Sequence, residues 1–280
     1  MLSLSELTKI FHSYNLSPKK ILGQHFLIDK NIQKKIIASC QITDEDIVLE
    51  IGPGLGALTE EICKEAKFVY AVEKDSVLSA LLKERLKSFK NLKIINSDIL
   101  NFPLPIKDCS AKLKLIGNLP YYLSTAFLKY LIENRKYINS VYISLQKEFA
   151  QRIIAKPGKK DYGALTIFIN VYANAEILFP IKKTCFYPPP KVDSCFMKFE
   201  MLTQPKVEEK ERENFFEIVR FVFQKRRKTV LNSLLGKFPD KEKIKEILER
   251  LNIDSWRRPE TLSMDDFLSL TKFFKIIAQK

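Results

Sequence analysis

Ile47-Val48-Leu49-Glu50-Ile51-Gly52-Pro53-Gly54-Leu55-Gly56-Ala57-Leu58-Thr59 is the stretch that decides the fold. An apolar run meets a carboxylate, then a glycine-rich turn, then a helix-forming segment: strand, tight turn, helix. Glycines permit the sharp turn and let a ligand lie against the main chain. The following helix points its free N–H groups at that ligand. The spacing is Gly-x-Gly-x-Gly, not the dinucleotide Gly-x-Gly-x-x-Gly. Alone it reads either as a nucleotide-type site or as an ordinary turn.

Downstream, β-rich runs alternate with helical ones. Phe68 to Val72 is a strand ending in Glu73, about 20 residues beyond the turn, where a carboxylate can hold ribose hydroxyls. Ser76 to Phe89 is a packing helix. Leu92 to Ile95 is a third strand followed by Asp98, an acceptor suited to an exocyclic adenine amine. Leu113 to Ile116 is a fourth, with Gly117-Asn118-Leu119-Pro120-Tyr121-Tyr122 at its end. Such alternation implies a parallel sheet with ligands beyond the carboxyl ends of its strands. Gly52, Glu73, Asp98 and Asn118 all fall at such ends. In the tetrapeptide, Pro120 biases Leu119 to an extended shape. Asn118 offers an amide acceptor and Tyr121 a ring, which suits a planar base with an amine; a proline-capped Asx turn is the bland alternative.

Composition narrows the partner. The 280 residues carry 47 Lys and Arg against 33 Asp and Glu, a net charge of +14. That surplus fits a polyanion such as nucleic acid, an anionic membrane surface, or merely a basic solubilising exterior. Cys40, Cys63, Cys109, Cys185 and Cys195 are scattered without Cys-x-x-Cys, and there are two histidines, so no metal site is expected. Reduced thiols in a cytoplasmic protein are expected, with Cys63 and Cys195 in the core. No run of apolar residues is long enough to span a membrane. Met1 to Tyr14 reads as a short amphipathic helix and not as a secretory signal.

The basic, glycine-broken segment Ser17 to Asp29 precedes a helix with Ile32, Ile36, Ile37 and Cys40 on one face. It reads as a helix leader or as a flap, with Lys19 and Lys20 for phosphate and Gln24 to Leu27 closing on a ligand.

Gln24-His25-Phe26-Leu27, Glu50 to Thr59 and Asn118-Leu119-Pro120-Tyr121, in this order, resemble the ribosomal RNA adenine N6-dimethyltransferases, and most closely their bacterial small-subunit type. The likeness runs from about Lys19 to the C-terminus. It implies an α/β fold of the class I S-adenosylmethionine-dependent methyltransferases, Rossmann-like with a mostly parallel sheet, plus a small all-α C-terminal domain. The implied activity is N6,N6-dimethylation of two adjacent adenosines in a hairpin near the 3′ end of small-subunit rRNA. The implied partner is that rRNA or a precursor of the small ribosomal subunit, met by a monomer. Residue by residue, the resemblance sets His25 and Leu27 over the S-adenosylmethionine, Gly52 at its methionine part, Glu73 at the ribose, Asp98 at the adenine amine and Asn118 by the methyl. His25 departs from the asparagine that many relatives carry. Asn118, Leu119, Pro120 and Tyr121 are the expected catalytic group, with Phe186 stacked over the target adenine opposite Tyr121.

Past the tetrapeptide come a helix (Ser124 to Glu133), a strand (Val141 to Leu145), a helix from Gln146, the basic loop Lys156 to Gly163, a helix (Ala164 to Tyr172) and strands at Glu176 to Phe179 and Cys195 to Phe199. The loop reads equally as a solvated turn or a phosphate contact. Residues 1–202 are expected to form the catalytic domain and 203–280 a helical RNA-binding domain. In the latter an aromatic-rich helix ends in Lys225-Arg226-Arg227-Lys228, read as RNA-binding over a solvated helix face. Competing readings are a large-subunit rRNA methyltransferase of the macrolide-resistance type, a non-catalytic nucleic-acid-binding factor on the same scaffold and, more remotely, an NAD oxidoreductase.

Overall fold

The structure, a computed structural model, describes residues 3–106 and 112–278, with side chains up to 272. Cys109 lies outside the described residues. The other four cysteines are buried free thiols.

Seven strands form one sheet: β1 (Ile47–Ile51), β2 (Phe68–Glu73), β3 (Leu92–Asn96), β4 (Leu113–Asn118), β5 (Ile138–Gln146), β6 (Ala173–Ile181) and β7 (Ser194–Met201). Their order is β3-β2-β1-β4-β5-β7-β6. Pairs β1/β2, β1/β4, β2/β3 and β4/β5 are parallel; β5/β7 is antiparallel. The chain runs outward from β1 to β3, then returns to lay β4 on the other flank of β1. That reversal opens a crevice at the carboxyl ends of β1 and β4, where open α/β sheets take their ligands.

The central strands are buried almost along their length, as expected of strands covered on both faces. Helix α2 (Lys30–Cys40) places Ile36, Ile37 and Cys40 with α3 (Thr59–Glu65) residues Ile62 and Cys63 against Val48, Val69 and Ile116. Helices α1 (Leu4–Ser13) and α4 (Ser76–Arg85) contribute Leu7, Phe11, Leu78 and Leu81 to a second cluster around Leu55. Ser3 and Glu6 close a reciprocal capping box at the start of α1. Helix α3 begins only at Thr59, because the glycine turn occupies everything from Gly52 to Leu58.

Helix α5 (Ser124–Glu133) and helix α6 (Lys147–Ile153) follow β4 and β5; α7 (Ala164–Tyr172) precedes β6. After the last strand the chain forms α8 (Arg212–Gln224), α9 (Val230–Leu234), α10 (Lys241–Arg250) and α11 (Met264–Ala278). Phe215, Ile218, Val219 and Val222 make the buried stripe of α8 at helical spacing, and Phe223 stacks on Phe267 of α11 at 5.6 Å.

The chain divides into two compact units, 1–150 with 176–201, and 151–175 with 202–280. The expected division at 202 alone therefore misplaces residues 151–175. The cause is α7: its Phe168 packs on Phe216 of α8 at 5.2 Å, and its carbonyls at Val171 and Tyr172 accept from Lys206 and Leu202 N–H. The four-cation run is also not a helix face. Helix α8 ends at Gln224, the run forms a turn closed by Lys228 N–H on Lys225 O, and Thr229 caps α9 through its side chain.

Candidate active site

The turn after β1 is built for a close approach. Gly52, Gly54 and Gly56 hold φ of +64°, +58° and +82°, a region other residues adopt only with strain. A Cβ at Gly56 would lie 2.7 Å from Leu82 Cδ1, whereas one at Gly52 meets nothing nearer than Asn118 O at 3.8 Å. Gly56 is thus required by packing. Gly52 leaves a cradle that opens into a cavity.

His25, Leu27, Gly52, Glu73, Asp98 and Asn118, the six residues expected at a cofactor, all line that cavity. Glu73 is oriented by the turn it faces: Oε2 accepts from Gly54 N–H at 3.0 Å and Oε1 from Asp75 N–H at 2.8 Å. Burial pushes its carboxyl up, against the pull of those two amides, and a carboxylate oxygen keeps capacity for a second donor. At Asp98 burial works against the charge, but Lys74 Nζ at 2.8 Å and Leu100 N–H outweigh it and hold the carboxyl below its ordinary value. Asn118 Nδ2 donates to His25 O at 2.9 Å, which leaves Oδ1 for a ligand. His25 Nδ1 sits 2.7 Å from Pro188 O, and its ring stacks on Tyr121 with centroids 6.0 Å apart.

Glu50 was not among the expected site residues. It lines the cavity at 2% exposure, and its Oε2 has no hydrogen-bond partner among the described residues. Burial, with Glu73 adding to it, pushes the carboxyl up to about 8. An orphaned buried carboxylate oxygen beside a glycine cradle suits a cationic donor on a ligand. A ligand with an ammonium at one end and a ribosyl purine at the other fits this donor and acceptor set.

The segment read as leader or flap lines the cavity with Gln24 to Leu27, and Asp75 ties it down. Asp75 Oδ2 lies 2.8 Å from Lys19 Nζ and 3.0 Å from Gln24 Nε2, while Oδ1 caps α4 through Val77 and Leu78 N–H. Burial of Asp75 is outweighed by Lys19 and Gln24, so its carboxyl is held low. Lys19, read as a phosphate ligand, is occupied by this carboxylate. Farther along, Phe26–Leu27 pair antiparallel with Phe186–Tyr187.

That ribbon corrects one expectation. Phe186 is 3% exposed, packed in the core with Leu27, and is not part of the cavity wall. The stacking clamp expected of it is not formed. Of the expected catalytic group, Asn118 and Pro120 reach the cavity. Leu119 is buried, and Tyr121 is half-buried with its hydroxyl 2.7 Å from Ser194 Oγ. Tyr122, half-exposed, lines the cavity and was not anticipated. Among the described residues no group of three or more His, Cys, Asp or Glu could hold a metal ion, and no helix is long and apolar enough to cross a membrane.

In the other unit, Lys225, Arg226, Arg227 and Lys228 are exposed. They are not equivalent. One Arg226 nitrogen donates to Lys160 O at 2.7 Å and Tyr162 O at 3.2 Å, so it ties the basic loop to the run.

A sheet of this order, with a glycine turn after its first strand, acids at the next two strand ends and Asn-Leu-Pro-Tyr after the fourth, defines a class I methyltransferase. The chain matches the family model for ribosomal RNA adenine dimethylase over residues 15–275, and it belongs to that family. Similar curated relatives are the ribosomal RNA small subunit methyltransferases A of Clostridium botulinum, 40% identical over 94% of this chain and 96% of theirs, and of Geobacillus thermodenitrificans, 41% identical over 94% and 93%. Similar solved structures are a dimethyladenosine transferase from Plasmodium falciparum, TM-score 0.77, 29% identical over 90% of this chain and 98% of that one, and the 23S rRNA methyltransferase ErmE, TM-score 0.71, 26% identical over 88% and 98%.

Proposed function

We propose that this chain dimethylates N6 of two adjacent adenosines in the 3′-terminal hairpin of small-subunit rRNA, with S-adenosylmethionine as donor, acting in small-subunit biogenesis in the cytoplasm. The observation that carries the reading is the convergence of six motif residues from five separate stretches on one cavity. The small-subunit substrate rests on relatives of that name matching nearly end to end. The large-subunit alternative has a structural likeness at lower identity.

The residues present fit the donor. Glu50 would meet the ammonium, Glu73 the ribose hydroxyls, Asp98 the adenine amine, and the Gly52 cradle the main body. Bound there, S-adenosylmethionine supplies an electrophilic methyl group. The adenine N6 lone pair is delocalised into its ring and is a poor nucleophile. Asn118 Oδ1 and the Leu119 carbonyl accept from the N6 hydrogens, so the nitrogen pyramidalises and its lone pair faces the methyl. His25 O holds the Asn118 amide in the orientation this requires. Tyr121, backed by His25 and pinned through Ser194, offers a ring to the swung-out base. Positioning and fixed dipoles supply the acceleration; the methylated nitrogen is cationic and sheds its proton to solvent, so no dedicated base is required.

Incubation with methyl-labelled donor and either unmethylated small-subunit particles or large-subunit rRNA tests this. Label is expected on two adjacent adenines of the small-subunit hairpin. Label on large-subunit rRNA alone would favour the alternative.

A further inference from the structure

Trp256, the only tryptophan in the chain, is 79% exposed. Its loop is nevertheless tied down. Trp256 N–H donates to Asp254 Oδ1 at 2.9 Å, and Arg257 N–H donates to Asp254 O. The Arg257 guanidinium pairs with Asp266 at 3.2 Å and with Thr261. The indole is presented to solvent by an anchored backbone and has no ring partner among the described residues. A single exposed aromatic is unremarkable by itself; what sets this one apart is the charge around it.

The neighbours are cationic. Arg257 O accepts from Val230 N–H at 2.8 Å, which sets the loop beside the end of the Lys225–Lys228 run. Glu260 O accepts from Gly158 N–H at 2.6 Å, and Arg226 binds Lys160 O, so the loop around Lys156, Lys159 and Lys160 joins the same cluster. These three lysines, Arg227, Lys228 and Arg258 are exposed and have no ion-pair partner among the described residues. Asp161 is the nearby exposed acid, and Asp254 is engaged by the Trp256 turn.

We infer that this cluster binds unpaired RNA, with one base stacked on Trp256 and the flanking phosphates held by the surrounding lysines and arginines. The inference rests on the reading of the basic run as RNA-binding and adds to it a base-contacting residue. An indole face needs a base face free of its neighbours, which a duplex offers only at its ends, whereas a single strand offers one at each nucleotide. The uncompensated charge favours a polyanion over a protein surface.

The tryptophan is its own probe. Full-length protein is titrated with a 12-nucleotide oligoadenylate and with a blunt RNA duplex of equal length, reading indole emission and, separately, filter binding. The single strand is expected to quench the emission, and Trp256→Ala to weaken its binding about tenfold, with the duplex little affected and Trp256→Phe retaining most of the affinity. Single-strand binding with unchanged emission and equal affinity in Trp256→Ala would overturn the stacking role while leaving the basic run intact. Failure of both RNAs to bind the unaltered protein would overturn the reading of the run, and this inference with it.

Discussion

Asn118 has two tasks that separate by atom. Nδ2 holds the 24–27 segment through His25 O, and Oδ1 is the atom that the proposed reaction uses. Asn118→Ala is expected to lower methyl transfer by about 10²–10³-fold, the usual cost of removing one such polar group. Donor binding by calorimetry should weaken by no more than about tenfold. Full activity in this variant would remove the proposed role. Glu50 carries a pH signature. Its folded carboxyl titrates at about 8 against an ordinary 4.5, so between those values the folded protein keeps a proton that the unfolded chain has released. Stability is therefore lost as pH rises through that window and levels off above it. Melting temperatures from pH 5 to 8.5 should show this slope in the free protein and a shallower one in Glu50→Gln; identical slopes would contradict it. The sequence shows Glu50 inside its motif but not its orphaned oxygen, because only packing reveals which carboxylates lose their water. The same limit applies to Phe186. Its motif is plain in the sequence, but pairing with Phe26–Leu27 turns its ring into the core.

At the scale of elements, the strand ends were the legible part. A polar residue directly after an apolar run marks the carboxyl end of a buried strand, and four such ends meet because β1 and β4 are neighbours. The flap was ambiguous, since its anchor Asp75 lies 51 residues from Gln24, and no periodicity reports such a partner. Two variants dissect it. Asp75→Ala loses the flap tie and the α4 cap together, and should lower stability by about 1 kcal/mol as well as donor affinity. Lys19→Met removes one of the two side chains bound to Asp75 and leaves the cap and the Gln24 contact; because Lys19 is half-exposed its effect on stability should be small. A calorimetric affinity unchanged in both variants would show that the flap does not retain the donor. Gly56→Ala should destabilise by a few kcal/mol through clash and positive φ, measured by denaturant unfolding.

Over the whole molecule, the charge of +14 suggested nucleic acid without placing it. Charge counts carry no geometry, and the run at Lys225 reads as the end of the aromatic-rich helix until Thr229 is seen to start the next one. Nor could the sequence assign residues 151–175 to the helical unit, because that depends on Phe168 meeting Phe216 far along the chain. The basic cations should now divide into two kinds. Replacing Arg227 and Lys228 with alanine should weaken RNA binding and reduce the salt slope by about 1–2, with melting unchanged. Arg226→Ala should also loosen the 156–162 loop, visible as faster amide exchange there. Equal effects of all three on the loop would contradict that division.

The central claim is that one cavity at the carboxyl edge of the sheet holds the methyl donor beside an amide oxygen. A crystal structure of the protein with S-adenosylhomocysteine tests it most directly. The account predicts the ligand's ammonium at Glu50, its ribose hydroxyls at Glu73, its adenine amine at Asp98 and its sulfur facing Asn118. Ligand bound elsewhere, or in this cavity with its ends reversed, would contradict it.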